Sequence, residues 1–395
     1  MSGVTVLWGG GTVLGPLVGG AFADSTATWR WAFYINLVIG AIFAPALIGI
    51  LPSIDLRHGT STLRKLRTMD WLGIIIFFAG AICFTMALNF GGTVYGWSSG
   101  PEIVLWVCAG ILLIGFILVS YYHPFVTIGN RLYPLHFYRT FEFANLQLQI
   151  LLVSGAILTT AYYIPLYFQF ARGDDAMQAA VRLLPFVLAL VFASLCNGFF
   201  MPRVGYHKPW FVGGSALYLV GCALMYTNTP TTPIAHIYGY SIPMGLGSGA
   251  YLMAGFDVVE KMVGPDELSN AVSFMAIAQD IGLILLLALA GSIYQNTTTA
   301  RLRPLLASSS SGEAADVDIL LAGTSNDAFQ SLQPESLKAD VVREVTRGIG
   351  GVWALLMAAA AVSLVAALGL GNGSVYGREK GVGEAAGDGR EKGEG

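Results

Sequence analysis

Charge is scarce in this chain. Only 11% of its 395 residues are charged, against about 25% in soluble globular domains, and that shortage excludes an ordinary soluble fold. Cysteine is scarce as well. Cys83, Cys108, Cys196 and Cys222 all fall inside apolar runs, with no paired loop positions and no ligand spacing, so neither a disulfide framework nor a metal site is supported and no cofactor is expected. No nucleophile–base pair stands out, which argues against an enzyme, and no nucleic-acid partner is expected. The first apolar segment has no basic n-region and further spans follow it, so no cleavable signal peptide is expected.

Hydrophobic residues are what the chain has in excess: 55% of the total, with a mean hydropathy of +0.64. They fall in ten stretches of about 20 residues, the length that crosses a bilayer as helix. The stretches are 3–23, 31–51, 71–90, 102–122, 143–168, 178–201, 210–227, 234–256, 270–294 and 349–370. The fold class expected is all-α, a polytopic membrane protein of about ten transmembrane helices set in a lipid bilayer.

Basic residues orient it. With residue 1 on the cytoplasmic side, the short inner loops hold Arg57, Arg64, Lys65, Arg67, Arg131, Arg139, Arg203, Lys208 and Lys261, while the short outer loops hold only Arg30 and Arg172. That bias is the positive-inside pattern, and the basic inner cluster reads first as a topology determinant. The outer loop, 295–348, begins with an N-glycosylation acceptor sequence at Asn296. It continues as a flexible Ser-rich part and then a short amphipathic helix over 327–348. The tail, 371–395, is Gly-rich and charged and reads as disordered and cytoplasmic.

The first span carries "GGGTVLGPLVGG". Gly11, Gly15 and Gly19 are four apart and share a helical face that lets a neighbour approach closely in lipid, and Pro16 bends the helix. "GTVLGPLVGG" resembles the fifth-span antiporter motif of the major facilitator superfamily, GxxxGPxxGG, at Gly11, Gly15, Pro16, Gly19 and Gly20. "WRWAFYIN", "TMDWLG", "NLQLQ", "RLLPF", "GLGSGAY" and "AQDIG" follow in order, as in the fourteen-span drug:proton antiporters, especially the fungal toxin and multidrug efflux branch. The resemblance covers about residues 1–372.

The resemblance implies that the first four spans of that family are absent, together with the basic-acidic loop and fourth-span arginine they carry. Residues 1–52 would be a two-span remnant of an incomplete N-terminal bundle and 53–124 a basic loop with two linker spans. Residues 125–370 would be a complete six-span C-terminal bundle. The implied activity is proton-coupled efflux of a small amphipathic organic molecule, a drug or toxin, by alternating access. The plasma membrane is the expected place, with the vacuolar membrane as the second. Two other readings stand beside it: a truncated fragment or isoform that does not transport, and another major-facilitator carrier such as a siderophore transporter.

Asp280 is the one carboxylate near the middle of a span, and an ionisable group at that depth is a candidate proton carrier. The competing reading is a tolerated carboxylate bonded to a neighbouring helix. Asn145, Gln149, Tyr163 and Tyr167 are candidates for the wall of a solute cavity, Tyr167 equally for an interfacial aromatic belt. Asn197 and Gln279 are deep amides that read as cavity residues or as interhelical glue.

Overall fold

The computed structural model describes residues 2–26, 28–50, 66, 68–92, 94–122, 132–265, 267–307, 317 and 335–372, without the side chains of residues 2–10, 12 and 13. Arg57, Arg64, Lys65, Arg67, Arg131, the Ser-rich segment and nearly all of the tail lie outside the described residues.

Hydrocarbon offers backbone groups no partner, so an apolar run of this length satisfies its N–H and C=O groups internally by forming a helix. The helices are α1 (Ser2–Ala23), α2 (Trp31–Ile50), α3 (Trp71–Phe90), α4 (Gly100–Tyr122), α5 (Phe141–Arg172), α6 (Ala176–Arg182), α7 (Leu184–Val204), α8 (Lys208–Tyr226), α9 (Ile234–Gly249), α10 (Ala254–Met262), α11 (Leu268–Ala307) and α12 (Glu335–Leu368), with a 3-10 turn at Leu135–Arg139 before α5. Among the described residues nine segments are long and apolar enough to span a membrane, and Leu14–Ala23 in α1 is a shorter apolar helix. No strand occurs among the described residues.

Two predicted spans are broken. Pro185, in the first turn of α7, separates α6 from α7 at Leu183, because a proline has no N–H to continue the preceding helix. The span expected over 234–256 bends at residues 250–253, between α9 and α10. The outer loop also departs from expectation. Residues 335–348 are the first turns of α12 rather than a separate short helix, and α11 runs on to Ala307. Leu302 and Leu306 pack with Leu337, Val341 and Val345, so the two helices stay paired beyond their apolar spans and Gly350 and Gly351 do not interrupt them.

Helices α5 to α12 form a bundle in which α5 packs on α11 and α12, and α9 lies between α7 and α8. Small residues set the close crossings. A Cβ on Gly155 of α5 would lie 2.8 Å from the Leu286 Cβ of α11, and one on Gly282 would lie 2.7 Å from the Ser154 Oγ. In α9, Gly245 and Gly249 abut the backbone of α7 at Phe186 and Leu190, while Gly247 abuts α8 at Gly214 and Tyr218. Cα–H backbone contact of this kind replaces the hydrophobic drive that lipid removes.

The basic loop residues among those described, Arg139, Arg203, Lys208 and Lys261, lie where α5 and α8 begin and α7 and α10 end; this is termed the basic end below. The core there contains Phe137 stacked on Phe143 at 4.8 Å, with Phe274 beside them. The core of the opposite half is built on Tyr163, Tyr167, Phe168 and Trp353. The α3–α4 hairpin leans on α11. Asp70 starts α3 by accepting from the Gly73 N–H at 2.8 Å, and it accepts from the Leu132 N–H at 3.2 Å, which fixes the chain entering α5. By contrast, α2 has no buried residue, and α1 touches the bundle through α6 and α7.

Candidate functional site

The glycine row expected to pack does not carry the contact. A Cβ on Gly11, Gly15 or Gly19 would meet nothing within 4 Å, so that face of α1 is open among the described residues. Gly20, one position round the helix, makes the approach. Its Cβ would come to 3.0 Å from the Ala176 carbonyl oxygen, 3.1 Å from the Met177 Cα and 3.2 Å from the Ala180 Cβ. Any larger residue there would have to push α6 away. One turn further on, the Asp24 carboxylate accepts a hydrogen bond of 2.7 Å from the Met177 N–H. Pro16 sits inside α1, half-buried and one turn before Gly20.

The amides expected to line a cavity lie inside the bundle and are engaged. Asn145 donates to the Ala366 carbonyl at 2.7 Å. Gln149 is fully buried and donates to the Ser363 carbonyl at 2.8 Å, while the Ser363 hydroxyl donates back to its Oε1 at 2.5 Å. Tyr251 reaches the same Ser363 hydroxyl at 3.2 Å. Buried amides must find partners, and here they find the backbone of α12, so Asn145 and Gln149 join α5 to α12. Asn197 is buried with its amide 3.6 Å from the Met201 sulfur. Gln279 is half-buried, and its carbonyl accepts from Ser154 at 3.0 Å.

Tyr163 and Tyr167 are 1% exposed. Tyr163 meets Tyr294 edge to face at 5.7 Å, and the Tyr167 hydroxyl donates to the Thr229 carbonyl at 2.6 Å. Tyr162, on the other face of α5, is the exposed one. The structure therefore brings Asn145 and Gln149 together, and separately Tyr163 with Tyr294, but does not gather the six candidates round one cavity.

Asp280 lies on the exposed side of α11, as does Ile284 one turn later, and it has no hydrogen-bond or ion-pair partner among the described residues. The protein itself does not bury it. Asn296 lies within α11, and its amide nitrogen donates to the Gly91 carbonyl at 3.1 Å and to Ser292. The nitrogen that would bear a glycan thus holds the α3–α4 turn against α11. Among the described residues no cluster of three metal-ligating side chains occurs.

Sequence reasoning passed over two features. Asp24 belongs to no motif in the sequence, and only the fold brings it to residue 177. Arg182, quoted above only as part of "RLLPF", is paired through two nitrogens with the buried Asp174, lies over the Phe168 ring at 5.1 Å and reaches the Tyr238 hydroxyl at 3.3 Å. An aspartate directly after a glycine and eight residues before an arginine was the available signal.

Two family descriptions match the chain: Major Facilitator Superfamily over residues 131–287 and fungal trichothecene efflux pump over residues 5–164. The chain is 48% identical to the efflux pump DEP3 of Alternaria brassicicola over 96% of its own length and 67% of that protein. It is 48% identical to the efflux pump DEP3 of Fusarium langsethiae over 92% of its length and 66% of that protein. The efflux pump alnA of Emericella nidulans is 38% identical over 94% of this chain and 67% of its own. The chain spans about two thirds of the length of the curated relatives it matches.

Proposed function

Because this chain belongs to the major facilitator superfamily, a family of membrane transporters rather than enzymes, we propose that it serves efflux of small amphipathic organic molecules across a membrane, coupled to protons and worked by alternating access. The basic end faces the cytoplasm in this reading, following the positive-inside pattern. The match to the fungal trichothecene efflux pump description favours a fungal secondary metabolite as the class of substrate.

The observation that carries the reading is the contact between α1 and α6. Alternating access needs a contact between bundles that breaks and re-forms at a cost of a few kcal/mol. The described contact suits that: one close glycine approach at Gly20 and one hydrogen bond at Asp24, on a helix whose other glycine face interlocks with nothing. Asp280 is the proton carrier in this reading. It is a mid-span carboxylate turned away from its own bundle, where a group can change its proton without breaking a core contact.

Proton-driven dye efflux in vesicles tests both parts. Gly20→Val is expected to lower efflux about tenfold or more, since overpacking costs roughly 1–3 kcal/mol, while Gly11→Ala leaves it unchanged. Asp280→Asn is expected to abolish the dependence on the proton gradient with the protein still folded. Undiminished efflux in Gly20→Val removes the argument from α1, and an unchanged proton dependence in Asp280→Asn removes the residue from the mechanism.

A further inference from the structure

At the basic end, a groove of about 630 Å³ opens between the start of α5 and the end of α12. Phe141, Leu148, Val362 and Val365 form its walls, and small residues such as Ala144 and Ala361 form its floor. The walls stand well out of the protein: Phe141 is 69% and Val365 70% exposed. The only amide lining it, Asn145, already gives its N–H to the Ala366 carbonyl, so the groove offers an occupant almost no hydrogen bonds. Along α5 it runs from residue 141 to 148, about 10 Å at 1.5 Å per residue, and along α12 from 361 to 369, about 12 Å. One leaflet of a bilayer core is about 15 Å deep. The groove is thus about two thirds to four fifths as long as one leaflet is deep, and it begins at the basic end of α5 and α12.

Its mouth is charged. Arg139 is exposed, stands two residues before Phe141 and has no acidic partner among the described residues. The carboxylate nearest in sequence, Glu142, lies between His207, 3.1 Å from its Nε2, and Gly371 just past the end of α12, so the buried His207 is one of the two neighbours that share it. Lys208 follows that histidine at the start of α8.

We infer that this groove is a binding site for one acyl chain of an anionic phospholipid of the adjoining leaflet, with the lipid phosphate held at Arg139. The length matches a chain entering from the interface, and the apolar lining excludes a polar ligand. An exposed guanidinium with no acidic partner among the described residues, at the end of the bundle where the groove begins, is the feature that separates this site from the exposed apolar surfaces of α2 and α4. Arginine favours phosphate by its planar fork of donors, and anionic lipid adds attraction at the surface. The site stands apart from transport, and its test reads lipid contact alone.

The purified chain is placed in nanodiscs of phosphatidylcholine carrying a trace of either phosphatidylserine or phosphatidylcholine with a photoreactive group in its tail. Crosslinked peptides are then mapped by mass spectrometry. Labelling is expected to concentrate on residues 141–148 and 361–369 over the exposed face of α4, and to be stronger with phosphatidylserine. Ala361→Phe and, separately, Ala144→Leu fill the groove and are expected to lower its labelling about tenfold, what roughly two fewer buried methylenes imply, with α4 labelled as before. Arg139→Gln is expected to equalise the two lipids at the groove. The inference is overturned if groove and α4 are labelled alike, if both filled variants fold and label like the parent, or if the parent shows no headgroup preference.

Discussion

His207 lies between α7 and α8 with 1% of its side chain exposed and its Nε2 3.1 Å from the Glu142 carboxylate. Burial, the larger influence, disfavours the imidazolium and pulls the histidine below its ordinary value of 6.5, Glu142 pulls the other way, and Lys208 adds to the lowering. The net direction is down. Between the lowered value and 6.5 the unfolded chain therefore binds a proton that the folded chain refuses. The stability attached to His207 is complete above pH 6.5 and is lost as the pH falls below it. Thermal unfolding in detergent is expected to show a midpoint that drops on acidification below pH 6.5. His207→Gln, which keeps a polar side chain without a titration, is expected to flatten that drop. An identical slope in the two proteins would mean that other groups set it.

At the scale of the element, the glycines of α9 show how much of the fold could be read in advance. "GLGSGAY" was legible as part of a membrane span, but not as a helix whose Gly245 and Gly249 face α7 while Gly247 faces α8. Which glycine touches which helix depends on the rotation of α9, and one sequence holds no record of its neighbours. Span positions were legible because hydropathy and length are local properties: helix covers most of each of the ten expected stretches, nine of them in segments long and apolar enough to span a membrane and two of those in two pieces. The break at Leu183 was also available, from Pro185. The extension of α12 back to Glu335 was not, because it depends on Val341 and Val345 meeting Leu302 and Leu306. The same limit applies to the site. The glycine–proline motif was visible, Gly20 included, but not that Gly20 rather than the Gly11, Gly15, Gly19 row makes the close approach, nor that the amides of Asn145 and Gln149 are taken up by the backbone of α12.

A matched pair on α9 tests this account. A Cβ at Gly249 would fall 2.9 Å from the Leu190 carbonyl carbon and 3.0 Å from its Cα, backbone atoms that cannot rotate aside. Gly249→Val is expected to cost roughly 1–3 kcal/mol or more, seen as a lower unfolding midpoint and a larger aggregated fraction in size-exclusion chromatography. Gly239, on the same helix, would meet nothing within 4 Å, so Gly239→Ala is expected to cause no loss. Equal behaviour of the two variants would show that helix propensity rather than close approach governs both positions.

Across the whole molecule the contacts are unevenly divided. The α3–α4 hairpin is tied to the α5–α12 bundle at its turn by Asn296 holding the Gly91 carbonyl, and at its other end to the segment entering α5, where Asp70 holds the Leu132 N–H and Phe116 packs on the adjoining Tyr133. It belongs mechanically to that bundle. Helices α1 and α2 do not. Apart from its packing on α6 and α7, closest at Gly20, the hydrogen bond from the Met177 N–H to Asp24 is the described polar link between α1 and the bundle, and it lies at the end away from the basic loops. If α1 and α6 part during a transport cycle, this bond is among the first to go. Spin labels on the last turn of α1 and on α6 would report the separation by pulsed electron resonance. Asp24→Ala removes the acceptor and is expected to broaden the distance distribution toward longer values, since a hydrogen bond at an exposed site is worth about 1 kcal/mol, enough to shift a two-state population several-fold. Asp24→Asn keeps an oxygen that can accept from the Met177 N–H and is expected to fall between Asp24→Ala and the parent. That ordering separates the hydrogen bond from mere helix contact. If Asp24→Ala leaves the distances unchanged, glycine packing alone holds α1 in place, and the moving boundary must be sought at Gly20.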